Sequence, residues 1–293
     1  MTSGSRHWRA ELALVGVTAI WGATFVTVKQ ALDDVTPVLF LALRFTLATF
    51  ALAILFRSHR PRGPGWRAGM LAGSLLFISY VFQTVGLRFT TPAKSAFVTG
   101  LAVPVVPFLA SLVYRTRPRA VEVWGAITAT AGLALMTLRF DVWEVNSGDL
   151  LTFFCALGFA AHIVAVGHYS ARVSFESLAV AQMAVAAFLS VGTFWWVEAP
   201  SVNWSFGLCV AVVITGLFAT ALAFTVQAWA QQYTTAARAA IIFTLEPVIA
   251  WAVSFALTGE TLPPAGVAGA ALILAGIVLV EVKPTRVQQH PSH

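Results

Sequence analysis

Apolar positions along this chain gather into runs long enough to cross a bilayer, which takes about 17–25 helical residues. Such runs fall at 12–32, 36–56, 67–89, 92–114, 121–138, 148–170, 175–197, 205–232, 236–258 and 263–282. The polar punctuation between them is short: Asp33-Asp34, the Arg/Pro/Gly cluster of 60–65, Arg115–Arg119, Asn146–Asp149, Glu198-Ala199-Pro200, and Gly259-Glu260 ahead of Pro263-Pro264. No soluble domain fits into gaps of that size. In hydrocarbon a backbone must satisfy its own hydrogen bonds, and segments of this length do so as helices. The pattern predicts an all-α integral membrane protein with about ten transmembrane helices. The first run follows Arg6 and Arg9, yet it is longer than a signal peptide's apolar core and Lys29–Asp33 offers no small-residue cleavage site, so it is expected to be retained.

The runs also repeat. Tyr80-Val81-Phe82-Gln83 through Thr90-Thr91-Pro92-Ala93-Lys94-Ser95-Ala96 aligns with Phe224-Thr225-Val226-Gln227 through Thr234-Thr235-Ala236-Ala237-Arg238-Ala239-Ala240 at an offset of 144. The offset slips to 143 for Pro104 with Pro247, then returns to 144 for Gly125 with Gly269 and Gly132 with Gly276. Shared apolar composition does not explain glutamines, paired threonines and a basic residue in register. The expected units are residues 1–138 and 148–282, five helices each, joined by a loop at 139–147 and followed by a cytoplasmic tail at 283–293. Because five is odd, the second unit enters the membrane in the opposite sense, which is the inverted-repeat arrangement of secondary transporters.

Composition strengthens the membrane reading: 58% of residues are apolar, 10% are charged, and the mean hydropathy is +0.81. A soluble body of this size cannot cover its surface with so little charge. Eighteen basic against twelve acidic residues give +6. The basic residues sit in short gaps between runs, without interleaved aromatics, so a bilayer rather than a nucleic acid is the expected partner. With the N-terminus inside, Arg57, Arg60, Arg62, Arg67, Arg115, Arg117, Arg119, Arg172, Lys283 and Arg286 fall on the inner side. The outer loops then hold Asp33, Asp34, Asp141, Glu144, Asp149, Glu198 and Glu260, with Arg139 their one clear basic residue. Both termini are therefore expected in the cytoplasm of a cell, or inner, membrane. Cys155 and Cys209 lie inside apolar runs and read as plain thiols.

Ionisable groups at membrane depth are costly, so each is a functional candidate. Glu246 precedes Pro247 near the middle of the ninth run, where the proline frees a carbonyl and bends the helix. A carboxyl there binds a substrate amine, exchanges a proton, or bridges the kink. Lys94 and Arg238 are repeat partners, for which snorkelling to opposite interfaces competes with a binding role. Thr91-Pro92 beside Lys94 reads as a helix interruption of the kind that marks a binding region. Arg44, near the centre of the second run, requires a partner or a wet cavity. Tyr80 and Gln83 share one helix face and Thr220, Phe224 and Gln227 another. These two stripes are repeat-related and either face each other across a cavity or glue helices together. Trp21 and Trp229 lie too deep for the interfacial aromatic belt and are candidate cavity walls, and His162 is a further mid-membrane candidate. No catalytic motif, metal-ligand spacing or phosphate-cradling loop is present, so neither enzyme activity nor a cofactor is expected.

Trp21-Gly22, Leu43-Arg44-Phe45, Leu245-Glu246-Pro247, Gly259-Glu260 and the run Gly269–Gly276 give the chain a resemblance to the EamA family of the drug/metabolite transporter superfamily. The first unit departs from the pattern in carrying Thr116-Arg117 where the second has Gly259-Glu260. The resemblance implies ten helices in two inverted repeats around a cavity lined by the first, third, fourth, sixth, eighth and ninth. It also implies export of small metabolites, amino acids including aromatic ones among them. The chain is expected to work as a monomer on a small-molecule substrate. A membrane enzyme acting on a lipid-phase substrate is the competing class, and drugs, nucleosides or sugars are the competing solutes.

Overall fold

A computed structural model describes residues 3–137, 145–249, 251–252 and 263–281. Among these the chain is helical: α1 Ser3–Ala31, α2 Pro37–Leu55, α3 Gly63–Leu87, α4 Pro92–Gly100, α5 Ala102–Tyr114, α6 Ala120–Thr137, α7 Ser147–Ser170, α8 Phe175–Val197, α9 Phe206–Val213, α10 Ala223–Ala230, α11 Ala236–Phe243 and α12 Pro264–Glu281. A π-helical segment, Ile214–Leu222, links α9 to α10. Seven spans are long and apolar enough to cross a membrane, with α4–α5 counting as one and α9–α10 as another, and α6 and α12 are shorter apolar helices. The only extended pairing described is an isolated bridge between Val35 and Val202. The predicted loop at 139–147 lies mostly outside the described residues, as do Gly259-Glu260 and the tail from 282.

The helices are placed by an inversion of the soluble pattern. Phe188, Trp196, Phe206, Ile54 and Leu112 point outward, while Arg44, His162, Gln182 and Gln227 are buried inside. Apolar surface facing out and polar groups facing in is the distribution a bilayer demands. This is a multi-pass membrane protein.

Close helix packing uses small residues, as expected where lipid removes the hydrophobic drive for association. Helix α3 lays Gly65, Gly69 and Gly73 against Ser177, Ala181 and Gln182 of α8; a Cβ on Gly73 would lie 2.5 Å from the Gln182 carbonyl oxygen. Helices α6 and α12 cross at Gly132 and Gly269, where a Cβ on either would approach the other's carbonyl oxygen to 2.5–2.6 Å, and again at Gly125 and Gly276.

Two interruptions position the site. Helix α4 ends at Gly100, four residues before Pro104, and α11 ends at Phe243, four residues before Pro247. In each case the proline removes the N–H that the carbonyl four residues back would receive, and the helix gives way there. Thr91-Pro92, expected to interrupt a helix, instead begins one: the Thr91 side chain caps the backbone N–H of Lys94 and Pro92 occupies the first turn. The break lies further along, at Leu101.

Candidate functional site

Both breaks open onto a central cavity. Its walls include Gly100, Ala102 and Val103 from the first break and Phe243, Thr244, Glu246 and Pro247 from the second. The cavity leaves about 120 Å³ in which a water-sized sphere can be centred, room for several waters or one small organic molecule. Trp21, Tyr80, Gln83, His162, Phe224 and Gln227 also line it. The structure thus brings together these sequence candidates with Glu246 and Pro247.

Each is held by its own partners. The Trp21 indole N–H donates to the Ala219 carbonyl at 2.9 Å, within the π-helical segment, whose widened turn makes carbonyls available to side-chain donors. Its ring lies 5.3 Å from Phe224 and 5.0 Å from Phe243. Gly22 beside it lets α1 approach the second break: a Cβ there would meet the Glu246 Cγ at 3.0 Å and the Glu246 carbonyl oxygen at 3.1 Å. Tyr80 meets Phe224, 144 residues further along the chain, edge-on at 6.1 Å, and Phe159 at 5.2 Å. Such edge contacts fix ring orientation.

The polar members divide into tied and untied atoms. Gln83 Nε2 donates to Thr99 Oγ1 at 3.1 Å, and His162 Nε2 lies 3.0 Å from Gln182 Oε1. Gln227 Nε2 donates to Gln231 Oε1, and Gln231 donates onward to the Ile163 carbonyl. That leaves Gln227 Oε1 buried without a hydrogen bond. The Glu246 carboxyl has no hydrogen bond or ion pair with any described residue, so it does not bridge the kink beside it.

Two sequence candidates stand apart from the cavity wall. Trp229 packs on Tyr233 and the Leu14–Ala230 cluster. Lys94 Nζ reaches Asp149 at 2.9 Å, beyond the cavity's edge. Conversely, Arg44 enters the wall, buried against Tyr80 and Thr220. The sequence required a partner or a wet cavity for Arg44 without naming either, because Tyr80 and Thr220 lie 36 and 176 residues along the chain. Cys155 is buried, whereas Cys209 lies on the exposed apolar surface. Among the described residues no group of His, Cys, Asp or Glu is arranged to hold a metal.

Comparison with known proteins places this geometry. A model of the EamA-like transporter family matches residues 8–138 and, separately, 146–282. A protein of Archaeoglobus fulgidus named as an uncharacterized transporter is 34% identical over 281 residues, covering 96% of this chain and 88% of its own. A probable amino-acid metabolite efflux pump of Salmonella typhimurium is 29% identical over 92% of this chain and 93% of its own. The inner membrane transporter YedA of Escherichia coli K12, uncharacterized, is 22% identical over 92% of this chain and 89% of its own. A solved crystal structure superposes with a TM-score of 0.77 at 24% identity, over 94% of this chain and 96% of the other, which shows a shared fold.

Proposed function

Because the chain belongs to the EamA-like transporter family, we propose that it is a secondary transporter exporting small organic metabolites by alternating access, with amino acids, aromatic ones included, as the substrate class. The observation that carries this reading is the central cavity: aromatic faces from Trp21, Tyr80 and Phe224 stand beside Gln83, Gln227 and Glu246, drawn from both halves of the chain. Aromatic walls suit rings and cations, and scattered polar atoms fix orientation. The amino-acid efflux named for the Salmonella relative supports the same class.

The inverted repeat belongs to this proposal. One family model fits each half in turn. The α6–α12 contacts are also self-consistent under exchange of the halves: the pair Gly125 with Gly276 becomes Gly269 with Gly132, and both contacts exist. A ten-helix chain with both termini inside and two units rocking about the cavity follows from this reading. Helix breaks at equivalent prolines are where such transporters place their sites.

Counterflow in proteoliposomes tests the function. Vesicles loaded with unlabelled L-phenylalanine should accumulate the labelled compound transiently and saturably. Turnover of a lipid-phase substrate without vectorial movement of any solute would favour the membrane-enzyme class instead.

A further inference from the structure

We infer that Arg44 and Glu246 are paired charge anchors for a zwitterionic substrate, the guanidinium taking its carboxylate and the Glu246 carboxylate its ammonium, an assignment that rests on the transporter reading. Arg44 lies in the middle of α2 and is 3% exposed. Its Nε donates to Thr220 Oγ1 at 2.5 Å, and Nη2 donates to Tyr80 Oη at 3.0 Å and to the Ala219 carbonyl at 3.5 Å. The guanidinium carbon sits 4.4 Å from the Tyr80 ring centroid. All of these acceptors are neutral. Among the described residues no carboxylate pairs with Arg44, and Nη1 donates to none of them.

The arrangement is that of a fork held from behind. Stacking on Tyr80 and the bonds from Nε and Nη2 fix the guanidinium plane, and the remaining donors are left for a ligand. A guanidinium whose plane is fixed in this way presents its Nη1 donors and its charge to a carboxylate in one orientation, which adds geometric specificity to a charge-assisted hydrogen bond. Helix packing alone would not call for an ion here: a neutral side chain could bond Thr220 and Tyr80 without the cost of a buried charge.

Glu246 has the complementary deficiency. It walls the same cavity from the second helix break, beside Trp21 of α1, Tyr80 and Gln83 of α3 and His162 of α7, and among the described residues none of these side chains hydrogen-bonds or ion-pairs with its carboxyl. A base and an acid therefore border one small space, and no ion pair joins them. A solute carrying both a carboxylate and an ammonium neutralises both anchors in one binding event. An amine or an acid alone leaves one buried charge bare, and that asymmetry is a large source of discrimination. The ring walls between them, Trp21, Phe224 and Phe243, take the body of the solute.

The test is a binding comparison on the purified full-length protein, read as ligand-induced thermal stabilisation with three probes that share a ring: L-phenylalanine, phenethylamine and 3-phenylpropanoate. Phenylalanine should bind about ten-fold or more tightly than either single-charge probe, the scale of one charge-assisted hydrogen-bond set. Arg44→Gln should erase the advantage of phenylalanine over phenethylamine while leaving phenethylamine binding in place. Arg44→Lys, which keeps the charge and loses the fork, should fall between. Equal binding of phenylalanine and phenethylamine by the unaltered protein would overturn the inference without any variant having to fold, as would no binding of phenylalanine at all. A uniform loss for all three probes in Arg44→Gln would assign the residue to structure and overturn it too. Charge-selective binding with no vectorial movement in vesicles would remove the transporter reading and leave the anchors standing.

Discussion

At one end of the cavity Lys94 meets Asp149, and at the other Arg238 meets Glu11. Lys94 and Arg238 lie 144 residues apart in the sequence, and their surroundings correspond. Thr91 caps the backbone N–H of Lys94 as Thr235 caps that of Arg238, and Thr90 donates to Asp149 as Thr234 donates to Glu11. Each acid comes from the first helix of the opposite half, α7 or α1. The cavity wall begins two residues further along in both cases, at Ala96 and Ala240. The clusters nevertheless differ in depth: the Lys94 side chain is 22% exposed and that of Arg238 only 1%. Arg238 also donates to His7 Nε2 at 2.6 Å and to the Val280 carbonyl at 2.9 Å, so it ties α1, α11 and α12 together. His7 completes the cluster, its Nδ1 donating to the Tyr233 carbonyl. Lysine offers a compact, strongly hydrated charge, whereas arginine offers five donors in a fixed fork. The same scaffold position can thus be buried fully only where the residue can distribute its donors over several helices.

The largest expected effect separates the two ends by stability. Arg238→Met takes from Glu11 its arginine partner and from the Val280 carbonyl its side-chain donor, and breaking a buried pair in this way costs about 3–5 kcal/mol. Lys94→Met removes a partly exposed charge, for which about 1 kcal/mol or less is expected. Thermal unfolding of both variants in the same detergent should therefore show a pronounced loss for Arg238→Met and a small one for Lys94→Met. Equal losses would break the comparison, because depth of burial would then not set the strength of the two clusters.

A smaller effect concerns access. If the clusters close opposite ends of one pathway, weakening either should expose the cavity from one face only. Cysteines placed singly at positions 96 and 240, with Cys155 and Cys209 replaced by alanine, report this through an impermeant maleimide applied from each side of sealed vesicles. Lys94→Gln should raise labelling at position 96 several-fold from one face, and Glu11→Gln should raise it at position 240 from the other. Increases from the same face for both would end the idea of opposed closures.

Much of this was legible in the sequence, and its limits have physical causes. Helix placement followed from run length, since a bilayer imposes one thickness on every span. The meeting of Tyr80 with Phe224, and of Gln83 with the same cavity as Gln227, followed from the 144-residue offset. Depth alone made Trp229 a candidate cavity wall, but it lies five residues from the cavity-lining Phe224, which along a helix turns a side chain by about 140° to another face, and it packs there on Tyr233. The π-helical segment at Ile214–Leu222 has no proline to announce it, so the carbonyl that receives Trp21 and Arg44 was invisible beforehand. Lys94 was weighed between an interface and a binding region, and neither reading contained Asp149, whose position depends on how the two halves dock.

The smallest predicted effect reverses the order of the two ends. At the deep end, Thr234 Oγ1 lies 3.4 Å from the Glu11 carboxylate, at the limit of a hydrogen bond, and Glu11 is served by Arg238 and faces His7. At the shallower end, Thr90 Oγ1 donates to Asp149 Oδ1 at 2.6 Å, a short bond to a charged acceptor. Asp149 is also fixed by the backbone N–H of Asn146 at 3.1 Å, as part of the capping box that starts α7, so its oxygens cannot turn to replace a lost donor. Valine has the shape of threonine and lacks the hydroxyl. Thr90→Val should therefore lower stability by about 1.5 kcal/mol, within the range for hydrogen bonds to charged groups. Thr234→Val should cost under about 0.5 kcal/mol, because a contact that long contributes little. Melting curves of the two variants, measured side by side, decide it. A larger loss for Thr234→Val would mean that hydroxyl burial rather than hydrogen-bond geometry governs both sites, and the two ends would then differ only in how deeply they are covered.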